Sequence, residues 1–265
     1  MSTQYLTSAQ LETPVPTPES LRPWLTELTS TPVYDDLTRP FAHPPVASTT
    51  VVLRTEQSGR RAAFVVGAQT KASYSRADEP AGCVRLRLAP GVTRQLLGVA
   101  AGELTDRVVR LDDLPGPLST VAGELTRVPA DEAITYLEDV LPHQVSETGT
   151  ERAHRIVLRE AISALTAADA PAIPDLAARL AVSERQLRAL FTTGIGVSPK
   201  HFARIDRVHR VLAYAGNTPW SHLAADAGYY DQSHLTADFR TLMGVPPAAY
   251  LHGRLPAPSR CRVPR

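Results

Sequence analysis

The sequence predicts an α+β amino-terminal domain followed by an all-α domain in which two tandem helix-turn-helix units are joined by a long helix. Three observations lead there. Residues 173–191 and 219–239 repeat one pattern, a pair of short amphipathic helices around a tight turn, with candidate caps Ser183 and Asp231 separated by 48 positions. Upstream, Val84, Leu86 and Leu88 alternate with Arg85 and Arg87, the period of a strand with one dry and one wet face. Charge divides along the same line: residues 1–150 hold 13 basic and 18 acidic side chains, net −5, whereas residues 151–254 hold 12 and 9, net +3, and residues 255–265 add three arginines.

Length and composition permit this division. A chain of 265 residues accommodates two domains, and 43% hydrophobic with 21% charged residues is ordinary for a globular protein. Positive charge sits with the paired helices, while the acidic first half suits sensing, dimerising or partner binding. Cys83 and Cys261 lack ligand-spaced neighbours, so no structural zinc or disulfide framework is indicated. Cys83 is expected to be a small buried hydrophobe and Cys261 a free thiol without function. The start of the chain lacks a basic flank before an apolar core, and no window approaches 18 apolar residues, so no membrane span and a cytoplasmic location are expected. Asp106, Asp112, Asp113 and the scattered histidines show no nucleophile order, phosphate loop or metal spacing. The chain is therefore expected not to be an enzyme, with no metal and no cofactor assigned.

From the amino terminus, Pro14, Pro16 and Pro18 oppose a regular helix, and residues 19–28 fit a short one around Leu21, Trp24, Leu25 and Leu28, with Trp24 as a packing anchor. Residues 39–45 read as a proline-bounded connector in which His43 faces solvent or caps. Residues 49–54 and 62–66 are extended on either side of a Gly59-Arg60 turn, residues 69–75 are irregular or extended, and the strand at 84–88 closes at Pro90-Gly91. Residues 92–97 and 101–104 read as short helices, 108–111 as extended, and 114–127 and 132–141 as helices. This gives a small α+β regulatory or dimerisation domain over residues 1–145, with a linker at 142–150 broken by Gly149.

The second domain, residues 151–254, opens with a helix at 151–165 whose Ile156, Val157, Ile162 and Leu165 form the apolar side. Its Arg152, Arg155 and Arg159 lie on the solvated side, where phosphate contact and plain surface roles are both open. In the first unit Pro174 suits an early helical position, and Leu176, Ala177 and Leu180 line the supporting helix. Ala181-Val182-Ser183 makes the turn, and Leu187, Leu190 and Phe191 return the next helix to the first. In the second unit Leu223, Ala224 and Ala227 precede a turn at Gly228, and Leu235, Phe239 and Leu242 face inward. Residues 199–214 form a ruler helix, with Phe202, Ile205, Val208, Val211 and Leu212 joining both units and Arg204, Arg207 and Arg210 pointing out as phosphate or surface contacts. Pro246-Pro247 starts a last short helix that Tyr250 packs down. Residues 255–265 are expected to be a disordered tail, with Arg260, Arg262 and Arg265 free to graze DNA.

GYYDQSHLTADFRTLMGVPPAAY (residues 228–250) and GVSPKHF (residues 196–202) carry a family resemblance. The segment resembles the DNA-binding domain of AraC/XylS bacterial transcription regulators over residues 151–255. The match lies in an aromatic after glycine, Asp-Gln-Ser-His, a phenylalanine five residues beyond the histidine, and Gly-Val-Pro-Pro before an aromatic. Ala237 stands where that family usually has arginine; Ala189, Thr192 and Thr193 likewise lack the common basic residues, and each missing cation removes a phosphate or guanine contact. Residues 64–70 and 84–114 are similar to the amino-terminal domain of one group of these regulators, with Ala68 replacing a usual proline. The histidine pattern of the sugar-binding cupin-like domain found in other members is absent, so the group is one with a small non-cupin α+β domain.

The resemblance implies sequence-specific reading of successive major-groove segments of double-stranded DNA. Candidate DNA-binding residues are Arg185, Gln186 and Arg188 in the first recognition helix and Gln232, Ser233, Thr236 and Arg240 in the second. Arginine can address guanine and glutamine adenine, and either can hold phosphate instead. Ser183, Lys200 and Asp231 are candidates for phosphate contact or helix capping. RNA polymerase and a second copy of the chain are further candidate partners, and the resemblance names no small-molecule effector. The alternative is a protein-interaction module whose tandem units have lost DNA affinity, motivated by Ala189, Thr192, Thr193 and Ala237.

Overall fold

The computed structural model describes residues 5–7, 10–36, 39–214 and 220–260. In chain order the strands are β1 (Leu6–Thr7), β2 (Thr13–Val15), β3 (Leu25–Tyr34), β4 (Phe41–His43), β5 (Thr50–Glu56), β6 (Arg61–Val66), β7 (Ser73–Arg76), β8 (Ala81–Leu88) and β9 (Val108–Arg110), with β10 (Ser259–Arg260) supplied by the far end of the chain. Six of them form an antiparallel sheet in the order β2-β3-β8-β5-β6-β9. A second sheet runs β1-β4-β7-β10, with an antiparallel centre and parallel edges. The amino-terminal half is thus richer in strand than the sequence suggests.

Alternation along the strands decides what each face of the larger sheet meets. Leu28, Val51, Leu53, Val65, Val84, Leu86 and Leu88 form one face, buried beneath α1 (Thr93–Leu97), α2 (Pro117–Thr120), α3 (Ala122–Arg127) and α4 (Ala130–Gln144). Each such fully buried side chain contributes roughly 1.5–3 kcal/mol. The opposite face is only partly solvated, because the smaller sheet lies across it and leaves an open cavity of about 1040 Å³ between the two. Arg85 and Arg87, expected to face water, line this cavity, where Arg85 pairs with Glu12 at 3.3 Å and Arg87 with Glu27 at 3.0 Å. Cys83 belongs to the same wall, not to the apolar core. His43, expected at solvent or a cap, stands in the opposite wall with Nε2 3.0 Å from Ser75 Oγ. Burial first, and the charge of Arg85 second, push its imidazole down to about 4.

Long-range pairing overrides several local readings. The helix expected at 19–28 is one 3-10 turn, Glu19–Leu21, followed by β3. Thr26, Thr29 and Thr31 favour extension, and β3 gains ladder partners on both sides, from β2 and β8. Trp24 is buried in the core as expected, and Pro14 is tolerated because β2 is an edge strand. The connector at 39–45 contains β4, residues 69–75 lead into β7, and the helix at 114–127 divides into α2 and α3 at Val121. The expected linker shrinks to residues 145–148, since α4 continues past Pro142 and α5 (Gly149–Thr166) starts at the glycine thought to break it. Thr148 and Glu151 form a reciprocal capping box, satisfying two otherwise open amides, which compensates for glycine's low helix propensity there.

The carboxy-terminal helices are α5, α6 (Ile173–Arg179), α7 (Glu184–Gly194), α8 (Pro199–Tyr214), α9 (Trp220–Asp226), α10 (Gln232–Met243) and α11 (Pro247–Leu251). Leu158, Leu165, Leu176, Leu187 and Phe191 close one core. Ile205, Val208, Leu223, Leu235 and Phe239 close a second. The start of α8 packs against the first through Phe202, and its body belongs to the second. No helix among the described residues is long and apolar enough to cross a membrane.

The two halves are bonded together. The Gly91 amide donates to Gly194 O at 3.0 Å and Thr105 Oγ1 to Gly196 O at 2.6 Å, holding the end of the first unit. The Ala72 amide donates to Leu242 O at 2.7 Å and the Tyr74 hydroxyl to Met243 O at 2.6 Å, holding the end of α10. A Cβ on Gly194 would lie 2.6 Å from Leu158 Cδ1 and 3.0 Å from Gly91 Cα, so a larger side chain there would have to displace the leucine and push the two backbones apart. Arg155, expected on the solvated side, is instead a pin between the halves: it donates to Glu147 and Pro23 O, both at 2.9 Å, and lies over the Trp24 ring. The tail expected to be disordered contributes β10 to the smaller sheet. Pro219, Cys261, Arg262 and Arg265 lie outside the described residues.

Candidate nucleic-acid interface

Each unit is built from a supporting helix, a left-handed turn residue and a capped second helix. In the first, Leu176 and Ala177 are buried on α6, and the turn closes with the Val182 amide on Ala177 O at 3.0 Å. The turn residue Ala181 has φ 52°, unusual for a residue with a side chain. Ser183 Oγ then accepts from the Gln186 amide at 3.1 Å, which starts α7. Leu187 and Phe191 turn inward, and Phe191 meets Phe202 edge-on at 5.7 Å, tying α7 to α8.

The second unit repeats this geometry with better turn chemistry. The Tyr229 amide bonds Ala224 O at 2.8 Å, and the turn residue is Gly228 at φ 74°. Asp231 accepts from the His234 amide at 2.7 Å and starts α10. The repeats are not in perfect register. Ala177 and Ala224, Ala181 and Gly228, and Val182 and Tyr229 are each 47 residues apart, yet the caps are 48 apart. The additional residue is Tyr230, at the mouth of α10 and 94% exposed. It was not among the candidates; the mismatch between the two spacings is the signal that reveals it.

Arg185, Gln186 and Arg188 on α7 and Gln232, Ser233 and Arg240 on α10 are all exposed, and Thr236 is partly so. Arg188 keeps a loose pair with Glu184 at 3.2 Å, while the Thr236 hydroxyl is turned back onto Gln232 O at 2.8 Å. Gln232, Ser233, Thr236, Ala237, Arg240 and Thr241 line one shallow concavity, with the small side chain of Ala237 among them. Ser183 and Asp231 are caps. Lys200 is exposed in the first turn of α8, whose start is instead secured by Ser198 Oγ accepting from the His201 amide at 3.2 Å.

The arginines of the ruler helix do not point freely outward. Arg204 places Nε 3.0 Å and a terminal nitrogen 2.9 Å from Asp238 Oδ1, and Arg207 lies 3.4 Å from Oδ2 and over the Tyr229 ring. Arg210 pairs with Asp206 at 3.0 Å within α8. Burial raises the Asp206 carboxyl above its ordinary value, against the lowering effect of Arg210. Asp238 is 8% exposed, so it is the hub that fixes α10 to α8. The three arginines of the ruler are thus held in internal pairs, whereas Arg185 on α7 and Arg240 on α10 are exposed.

The family model described as a helix-turn-helix domain matches residues 176–253, the segment from the first buried leucine of α6 to just beyond α11. No curated protein matches the chain. Among solved structures, a transcriptional regulator of Chromobacterium violaceum with an AraC-type DNA-binding domain is 21% identical, covering 40% of this chain and 99% of its own, with a TM-score of 0.35. The DNA-binding domain of AdpA, solved with a target DNA, is 24% identical over 37% of this chain and 88% of its own, with a TM-score of 0.33. ToxT of Vibrio cholerae is 10% identical over 85% of this chain and 97% of its own, with a TM-score of 0.38. The carboxy-terminal half carries a helix-turn-helix domain.

Proposed function

We propose that this chain is a sequence-specific, double-stranded DNA-binding transcription regulator of the AraC/XylS kind, with α7 and α10 entering neighbouring major-groove segments. One observation supports the reading above the others: both second helices present uncommitted polar side chains, while the three arginines of α8 are held in internal pairs. Arg185 and Gln186 are the second and third residues of α7, and Gln232 and Ser233 the first and second of α10, so both pairs lie in the first turn, the end that addresses base edges when a helix lies in the groove. Selection from random duplexes, followed by footprinting of wild type and of an Arg185→Ala/Gln186→Ala variant, tests it. Loss of discrimination by about 1–3 kcal/mol per base contact at one half of the site is expected. No salt-dependent retention on duplex DNA would favour the protein-interaction module instead.

An effector-binding role for the amino-terminal half is supported by the cavity. Val46, Val52, Phe64 and Leu212 give it apolar walls, and Arg54 and Arg85 each bring a buried Nε donor that lacks a well-aligned acceptor. A small organic molecule with an acidic group matches that combination.

A further inference from the structure

The end of the chain returns to its beginning. After α11, residues 256–260 run back across the amino-terminal half, and β10 lies parallel to β7 with Ser259 opposite Ser75 and Arg260 opposite Arg76. Two further contacts fix it, the Tyr5 hydroxyl donating to Pro256 O at 2.6 Å and Ser259 Oγ donating to Tyr74 O at 3.2 Å, and Tyr5 itself meets the Tyr74 ring edge-on at 5.8 Å. Pro256 and Pro258 keep the approach extended. Ser259 and Arg260 are also part of the cavity wall.

We propose that residues 256–260 are a releasable strap, an intramolecular strand addition that closes one mouth of the cavity and holds the second reading helix against the amino-terminal half. β7 is the element through which the two effects are joined. On one edge it receives the strap. Its Tyr74 reaches the other way, with a buried hydroxyl on Met243 O at the end of α10, and the neighbouring Ala72 amide is bonded to Leu242 O. The first unit is held by different residues, Gly91 and Thr105. Releasing the strap therefore loosens one recognition helix and not the other. A two-residue ladder with a few side-chain bonds is weak enough to open without unfolding the sheet, since each such bond contributes little net stability. Without it, β7 becomes an open edge, available to any extended segment.

The inference does not depend on DNA binding, and two amides report on it directly. The Ala72 amide is protected only while α10 is docked, and the Gly91 amide only while α7 is docked. Amide hydrogen exchange is measured on the full chain, on a chain ending at Leu255, and on Ser259→Pro, which removes the hydroxyl and the amide at the centre of the strap while leaving the tail in place. Both variants are expected to raise exchange at Ala72 about tenfold or more and to leave Gly91 within about twofold. Unchanged exchange at Ala72 in Ser259→Pro would overturn the strap. So would an equal rise at Ala72, Gly91 and the amides of β5 and β8, which would make the tail a general stabiliser. Concentration-dependent dimers of the truncated chain, with β7 protection regained in the dimer, would support the open-edge corollary.

Discussion

Replacing Asp238 by alanine should destabilise the carboxy-terminal half without touching the exposed faces of α7 and α10. The carboxylate accepts from Arg204 and Arg207, and its removal leaves both guanidinium groups without their ion-pair partner beside the apolar core around Phe239, with only the charge of Asp206 acting on Arg207. Breaking a fully buried pair from one side costs about 3–5 kcal/mol. Here the arginine side chains remain 24% and 25% exposed, so water recovers part of their solvation, and a loss of about 2 kcal/mol is expected. At about 2–4 °C per kcal/mol this lowers the melting midpoint by roughly 4–8 °C. Urea denaturation of wild type, Asp238→Ala, Arg204→Ala and the double variant gives the coupling energy directly. A coupling below about 0.5 kcal/mol would refute the argument that these arginines are structural. Arg204→Ala should also leave the slope of DNA affinity against salt unchanged; a fall of about one in that slope would return Arg204 to the phosphate contacts.

Three further outcomes follow from the same geometry. Ala181 and Gly228 hold equivalent left-handed turns, so Gly228→Ala should destabilise by about 1 kcal/mol through backbone strain alone, while Ala181→Gly should be neutral or stabilising; chemical denaturation reads the opposite signs. His43 stays neutral in the folded chain down to about 4 but protonates near 6.5 when unfolded, so its contribution is fully present above that value. Stability should fall between pH 6.5 and about 4, by an amount on the order of 1–3 kcal/mol, and His43→Gln should flatten that limb of the melting profile. Tyr230→Ala, at a position 94% exposed, should change folding stability by under about 0.5 kcal/mol yet weaken retention on the selected duplex; equal retention would mean the ring does not reach DNA.

The parts of this protein that could be read from the chain alone are those governed by neighbours three or four residues away. Ser183 and Asp231 cap as their position demands, Leu187, Phe191, Leu235 and Phe239 turn inward, and Gln186 and Gln232 remain in solvent, because a helix's cap and faces are set within its own turns. Even Tyr230 was present as a spacing difference. The alternation of β8 likewise showed which residues share a face, but not what covers it. Arg85 and Arg87 line a cavity only because β4, β7 and β10, drawn from widely separated segments, assemble over them. Arg204, Arg207 and Arg155 became internal pins for the same reason. Their partners Asp238 and Pro23 lie far along the chain, and periodicity within one helix contains no information about which distant carboxylate or carbonyl will be brought against it.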